Sequence, residues 1–99
     1  MNSALAFDIR LDWRDQTAAR EGRTIPICRK ELFVLECLAQ NAERPVSESD
    51  LNRHLYGEQL RGSNCINAHL YRLRPKLEPL GLRIATVINK GFLLMEAKP

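Results

Sequence analysis

The apolar residues of this chain keep two different periods, and the order of those periods limits the fold more than any other feature. From Leu5 to Trp13 every odd position is apolar, while Ala6, Asp8, Arg10 and Asp12 between them are small or charged. Period two sends alternate side chains to opposite faces of a strand, so the segment predicts β structure with one face buried, as one strand or two short ones. Arg14-Asp15-Gln16 reads as a turn. Residues 17–20 and 23–27 flank Glu21-Gly22, a two-residue loop of the kind that closes a hairpin where glycine permits positive φ. The first quarter predicts a small antiparallel sheet.

After Cys28 the period lengthens. Leu32, Leu35, Leu38 and Ala39 recur at helical spacing, with Phe33 and Cys37 four apart beside them, which predicts a helix from about Arg29 to Asn41. Cys37 reads as a small core residue. In Ser47-Glu48-Ser49-Asp50 the Ser47 hydroxyl can accept the Asp50 amide, and Val46 with Leu51 supplies a hydrophobic staple. A second helix then runs through Leu55 and Tyr56 to Gly57, a natural stop. Residues 58–62 read as a polar loop, and Ser63 can cap a third helix. There Ile66, Leu70, Leu73 and Leu77 form a single apolar stripe. Pro75 removes a backbone donor and crowds the Tyr71 carbonyl, so a bend or early fraying is expected near the end of this helix. Residues 83–88 and 92–95 return to β patterning around Asn89-Lys90-Gly91, a short loop with glycine available for positive φ.

Ninety-nine residues, 44% hydrophobic and 27% charged, fit one globular domain over residues 1–99 and exclude a multidomain enzyme or a low-complexity tail. No run approaches the roughly 18 apolar residues of a membrane span, and the N-terminus lacks a basic region followed by an apolar one. A soluble, unsecreted, cytoplasmic chain without membrane contact is expected. Cys28, Cys37 and Cys65 form no CxxC pair, so no zinc site or disulfide framework is indicated and a reducing compartment fits. His54 lacks a partner at ligand spacing and reads as a surface residue, and Trp13 and Tyr56 read as core. Paired carboxylates, a nucleophile–base arrangement and a phosphate-cradling glycine loop are absent. No metal, no cofactor and no enzymatic activity are expected.

Charge is distributed unevenly. Residues 1–60 hold eight basic and ten acidic residues, whereas residues 61–90 hold six basic residues against Glu78 alone. A basic third on a near-neutral remainder is the footprint of a polyanion-binding face, or else a solvated surface without a partner. The side of the third helix opposite its apolar stripe carries Asn64, Ala68, Tyr71, Arg72 and Pro75, flanked by Asn67 and Arg74 on one edge and His69 and Lys76 on the other. Asparagine can pair with adenine, arginine with guanine, and an alanine methyl can pack on thymine. The same face would also serve as ordinary solvated helix surface.

The stretch Ile66-Asn67-Ala68-His69-Leu70-Tyr71-Arg72-Leu73-Arg74-Pro75-Lys76-Leu77 resembles the recognition helix of the OmpR/PhoB-type winged-helix DNA-binding domain, typically V-D-V-H-I-x-R-L-R-x-K-L. Val46 to Leu51 through Tyr56-Gly57 resembles that family's V-S-x-x-x-L…W-G second helix. Thr86-Val87 through Gly91-Phe92 resembles its T-V-R-G-x-G-Y hairpin, and Lys30-Glu31-Leu32 resembles the K-E-F at the start of its first helix. The resemblance covers nearly the whole chain in order. It implies an α+β winged helix-turn-helix fold, with an N-terminal four-stranded antiparallel sheet, three helices and a C-terminal β-hairpin wing. It also implies a bacterial, two-component-type transcriptional regulator that binds double-stranded DNA sequence-specifically.

By position, the resemblance implies that Asn67, Ala68, Tyr71 and Arg72 meet bases in the major groove and that His69, Arg74 and Thr86 contact phosphates. Asn64 joins the base-contacting set from its place on the outward face, and Lys76 and Lys90 join the phosphate set. There are departures from the family pattern. Cys28-Arg29 stands where the first helix is usually capped by Thr-Pro, a cap weaker by about 1 kcal/mol. Asn67 replaces a common acidic residue and Tyr71 a common basic one. Ile88 stands at the wing arginine, leaving Lys90 as the only basic side chain at the tip, so minor-groove insertion of an arginine is not expected.

The resulting expectation is a recognition helix over 63–77 in the major groove and a wing over 83–95 on the backbone. Loop 58–62 occupies the place from which relatives contact RNA polymerase. One recognition helix reads a short half-site, and relatives set two domains head to tail on direct repeats about one helical turn apart. The chain offers no dimerisation helix, and its short sheet edge is charged at Asp8, Arg10 and Asp12. A monomer in solution that occupies tandem sites on DNA is therefore expected. The sequence leaves open a winged helix used as a protein–protein module without specific DNA binding. The two separate on whether affinity through Arg72 and Arg74 depends on DNA sequence.

Overall fold

In the structure, a computed structural model describing residues 5–42, 44–57 and 63–97 with the side chains of 63–65 excepted, the N-terminal alternation survives in burial but not as one strand. Phe7 and Asp8 adopt φ of 63° and 58°, and residues Ala6–Asp8 make a 3-10 turn. Two successive left-handed residues turn the chain aside. Only Arg10–Asp12 remains as strand β1, so the N-terminal sheet has three strands among the described residues where the resemblance implies four. Ile9 is nonetheless buried, and Phe7, Leu11 and Trp13 pack against the core while Asp8, Arg10 and Asp12 face solvent. The charged edge is thus Arg10 and Asp12 on β1, with Asp8 in the turn before it.

β2 (Thr17–Arg20) and β3 (Arg23–Pro26) continue the sheet in the antiparallel order β1-β2-β3. Glu21 and Gly22 join them with φ of 51° and 81°, the doubly positive pair that a tight two-residue hairpin needs.

Three helices follow: α1 (Arg29–Gln40), α2 (Glu48–Tyr56) and α3 (Ser63–Leu77). At the start of α1 the Glu31 Oε1 accepts the Cys28 amide at 3.0 Å, closing the reciprocal half of a capping box and offsetting the missing Thr-Pro. The α2 cap forms as expected, with the Asp50 amide donating to Ser47 Oγ at 3.1 Å and both staple residues, Val46 and Leu51, buried. The early fraying expected at Pro75 does not occur, and α3 stays helical through Leu77. Tyr71 and Pro75 both lie on the exposed side, where water can satisfy the carbonyl that proline frees, and only Lys76 and Leu77 follow.

A 3-10 turn at Glu78–Leu80 leads into the wing, β4 (Leu82–Val87) paired antiparallel with β5 (Gly91–Glu96). The wing is fixed at its base. Val46 and Phe92 exchange backbone hydrogen bonds at 2.7 and 2.9 Å, tying β5 to the N-terminus of α2. Gly91, at φ 132°, passes so close that a Cβ there would collide with the Val46 carbonyl. The buried stripe Ile66, Leu70, Leu73 and Leu77 seats α3 on a core shared with Leu32, Leu35, Leu51, Leu82 and Leu94. Cys37 is part of that core, and burial, with Asp50 and Glu36 nearby, pushes its thiol up to about 11, far from a reactive thiolate.

Candidate nucleic-acid interface

With the apolar stripe of α3 sealed against the core, the opposite face is presented to solvent. Asn67, Ala68, Tyr71, Arg72 and Arg74 are exposed, and Tyr71 retains 80% of its surface. Asn67 Nδ2 donates to Glu48 Oε2 on α2 at 3.3 Å, a weak, exposed contact that a base edge could replace. Asn64 lies in the first turn of α3, and its side chain falls outside the described residues, as does all of loop 58–62. Arg74 Nη2 donates to Thr86 Oγ1 at 3.1 Å, so two residues expected on phosphates are brought together, one from the helix and one from β4. At the wing tip Ile88 is 81% exposed, Asn89 adopts φ 65°, and Lys90 points to solvent.

Two of the expected phosphate ligands are engaged inside the protein instead. Lys76 Nζ donates to Glu31 Oε1 at 2.7 Å. Glu31 has no exposed surface, and its second oxygen, without a hydrogen bond, lies 3.9 Å from Arg72 Nε. Burial opposes ionisation of this carboxyl, but the Lys76 ammonium and the Cys28 amide outweigh that cost and hold it below its ordinary 4.5. His69 is half-buried. Its Nδ1 accepts from Arg72 Nη2 at 3.1 Å, which assigns the ring proton to Nε2, facing Tyr56 Oη at 3.0 Å. Burial first, then the Arg72 charge, lowers the His69 pKa below its ordinary 6.5, so the ring is neutral at physiological pH. Tyr56, read as core, is half-buried and also lies beneath the Lys30 ammonium, 4.6 Å from its ring centroid.

The sequence matches the family described as "Transcriptional regulatory protein, C terminal" over residues 22–94. The chain belongs to this family. It is the OmpR/PhoB-type family of transcriptional regulatory DNA-binding domains, and it is not a family of enzymes. Among relatives, the chain is 38% identical over 78 residues to a probable transcriptional regulatory protein, y4xI, of Sinorhizobium fredii, covering 75% of this chain and 34% of that protein. It is 36% identical over 77 residues to the DNA-binding dual master transcriptional regulator RpaA of Synechocystis, covering 74% and 32%. It therefore spans about a third of the length of these relatives. Among solved structures, the DNA-binding domain of CpxR from E. coli superposes with a TM-score of 0.71 at 27% identity, covering 91% of this chain and 92% of that one.

Within this OmpR/PhoB-type domain, Glu31 is the site residue that sequence reasoning missed. Its signal was present: Glu31, Leu35 and Leu38 stand at i, i+4 and i+7, so the glutamate falls on the core-facing stripe of α1, where a carboxylate must find a cation. His54, expected on the surface, is half-buried, with Nε2 3.0 Å from Glu36 Oε1 and its ring edge-on to Phe33. That pairing joins α2 to α1. Among the described residues no cluster of three or more His, Cys, Asp or Glu could hold a metal, and no helix is long and apolar enough to cross a membrane.

Proposed function

We propose that this chain binds double-stranded DNA sequence-specifically, with α3 in the major groove and the wing on the adjacent backbone. The observation that carries the reading is the α3 face itself: Asn67, Ala68, Tyr71 and Arg72 stand exposed together on a helix whose other side is sealed. A helix with such a face fits a major groove about 12 Å wide, and these side chains match the edges of adenine, guanine and thymine. Arg74, Thr86 and Lys90 then serve the phosphates, which position the protein without reading sequence. Asn64 extends the base-reading set toward the N-terminus of α3. In the same reading residues 1–99 form one cytoplasmic domain, loop 58–62 faces RNA polymerase, and two copies occupy direct-repeat half-sites.

The decisive experiment is in vitro selection from a random duplex pool with the purified chain. Enrichment of one recurrent short element supports the reading. Binding that is lost with salt and enriches no element favours a protein–protein module.

A further inference from the structure

We infer that Glu31 and His69 are positioning residues that hold the Arg72 guanidinium ready for base recognition. The inference rests on the reading that α3 meets bases. Arg72 is the residue on that face with the most to gain from being held, because an unrestrained arginine loses several rotatable bonds' worth of freedom on docking. Here it is gripped from two sides before any DNA arrives. Its Nε lies 3.9 Å from the buried Glu31 Oε2, and its Nη2 donates to His69 Nδ1 at 3.1 Å.

Neither grip can swing out with the arginine. Glu31 is fixed at the start of α1 by the Cys28 amide and the Lys76 ammonium on its other oxygen, at 3.0 and 2.7 Å. His69 is fixed by Tyr56 on α2, 3.0 Å from Nε2. The α1 and α2 helices thus act together on one side chain of α3. With one Nη2 hydrogen on His69, Nη1 and the other Nη2 hydrogen remain to face a guanine O6/N7 edge. The sites that bind most selectively are those whose recognising groups are locked by a supporting shell.

A merely structural network would pack α1 against α3 and affect all DNA alike, and the test separates the two roles. His69→Leu, His69→Asn and Glu31→Gln, each alone and combined with Arg72→Ala, are made in the 99-residue chain. Each is titrated on the selected duplex and on one altered at the base pair that Arg72→Ala ceases to discriminate. His69→Leu and Glu31→Gln should each lower that discrimination roughly three- to tenfold, the worth of one immobilised long side chain. They should lower nothing further once Arg72 is replaced. His69→Asn, whose Oδ1 can stand in for Nδ1, should recover most of the discrimination. Equal losses on both duplexes, or losses that persist without Arg72, overturn the inference. Because Glu31 also caps α1, the His69 arm decides the matter where Glu31→Gln fails to fold.

A DNA-free readout keeps this inference distinct from the function it rests on. In nitrogen-15 NMR of the wild type the Arg72 Nη signals should be resolved from the averaged arginine position, because Nη2 is held by His69 Nδ1, and in His69→Leu they should collapse to that position. An averaged signal already in the wild type overturns the positioning role even where DNA is read. A held Arg72 in a chain that discriminates no sequence overturns base reading instead.

Discussion

Arg74 and Lys76 stand two residues apart on α3 and do different things. Arg74 is exposed and bonded to Thr86 on the wing, whereas Lys76 is drawn inward to Glu31. A helical wheel places both on the basic side because it reports angle, and it cannot report a partner 45 residues away. In the proposed reading Lys90 serves a phosphate, being exposed at a wing tip whose other exposed side chains are Ile88 and Asn89. Lys90→Ala should weaken selected and scrambled duplexes alike and reduce the salt slope by about one. A changed base preference at an unchanged slope would show the assignment to be wrong. His69 itself adds a pH dependence. A pKa held below the unfolded value gives stability above that value and removes it as pH falls, so the neutral ring stabilises above about pH 6.5 and that contribution fades below it. The gap in urea midpoint between wild type and His69→Asn should therefore narrow as the pH drops from about 7.5 to 5.5. A gap that stays constant or widens contradicts the neutral, Arg72-bound ring.

At the scale of elements, what could be read from the sequence divides into local and distant causes. Helices α1 and α2 fall within a residue of their expected ends, because their caps, staple and stop lie in the same few residues. The alternation from Leu5 to Trp13 gave the buried face correctly and the strand incorrectly, since positive φ at Phe7 and Asp8 has no glycine or asparagine to announce it. Arg20 is the larger omission. It reads as one more strand charge, yet it is 5% exposed and donates to the Phe7 carbonyl at 2.9 Å and the Leu80 carbonyl at 2.6 Å, with Glu96 on its remaining nitrogen. One side chain on β2 thereby joins the N-terminal turn, the segment after α3 and the wing. Charge-assisted hydrogen bonds contribute about 1.5–3 kcal/mol each, so Arg20→Met should cost about 3 kcal/mol or more in urea unfolding. A loss under about 1 kcal/mol would mean the contacts are replaced by water without penalty.

At the scale of the whole molecule, α1 and the wing are the frame on which one helix is displayed. Val46–Phe92 fixes the wing to α2 and Arg74–Thr86 fixes it to α3, so the two elements that the proposed reading sets against DNA keep a set spacing. In the proposed reading a single such frame would meet only a short half-site, and the edge strand β1 is only three residues long and charged at Arg10 and Asp12. Sedimentation should find a monomer without DNA, and titration on two direct-repeat half-sites should fill both with at most modest cooperativity. A stable dimer in free solution, or selected sites arranged only as inverted repeats, refutes the tandem arrangement. The central claim remains that α3 reads base edges, and Arg72 tests it most directly. Equilibrium titration of wild type and Arg72→Ala on the selected site and on a scrambled duplex should show a loss of about 1–3 kcal/mol on the selected site, with preference relaxed at one base pair and little change on the scrambled duplex. Equal losses on the two duplexes would contradict the account.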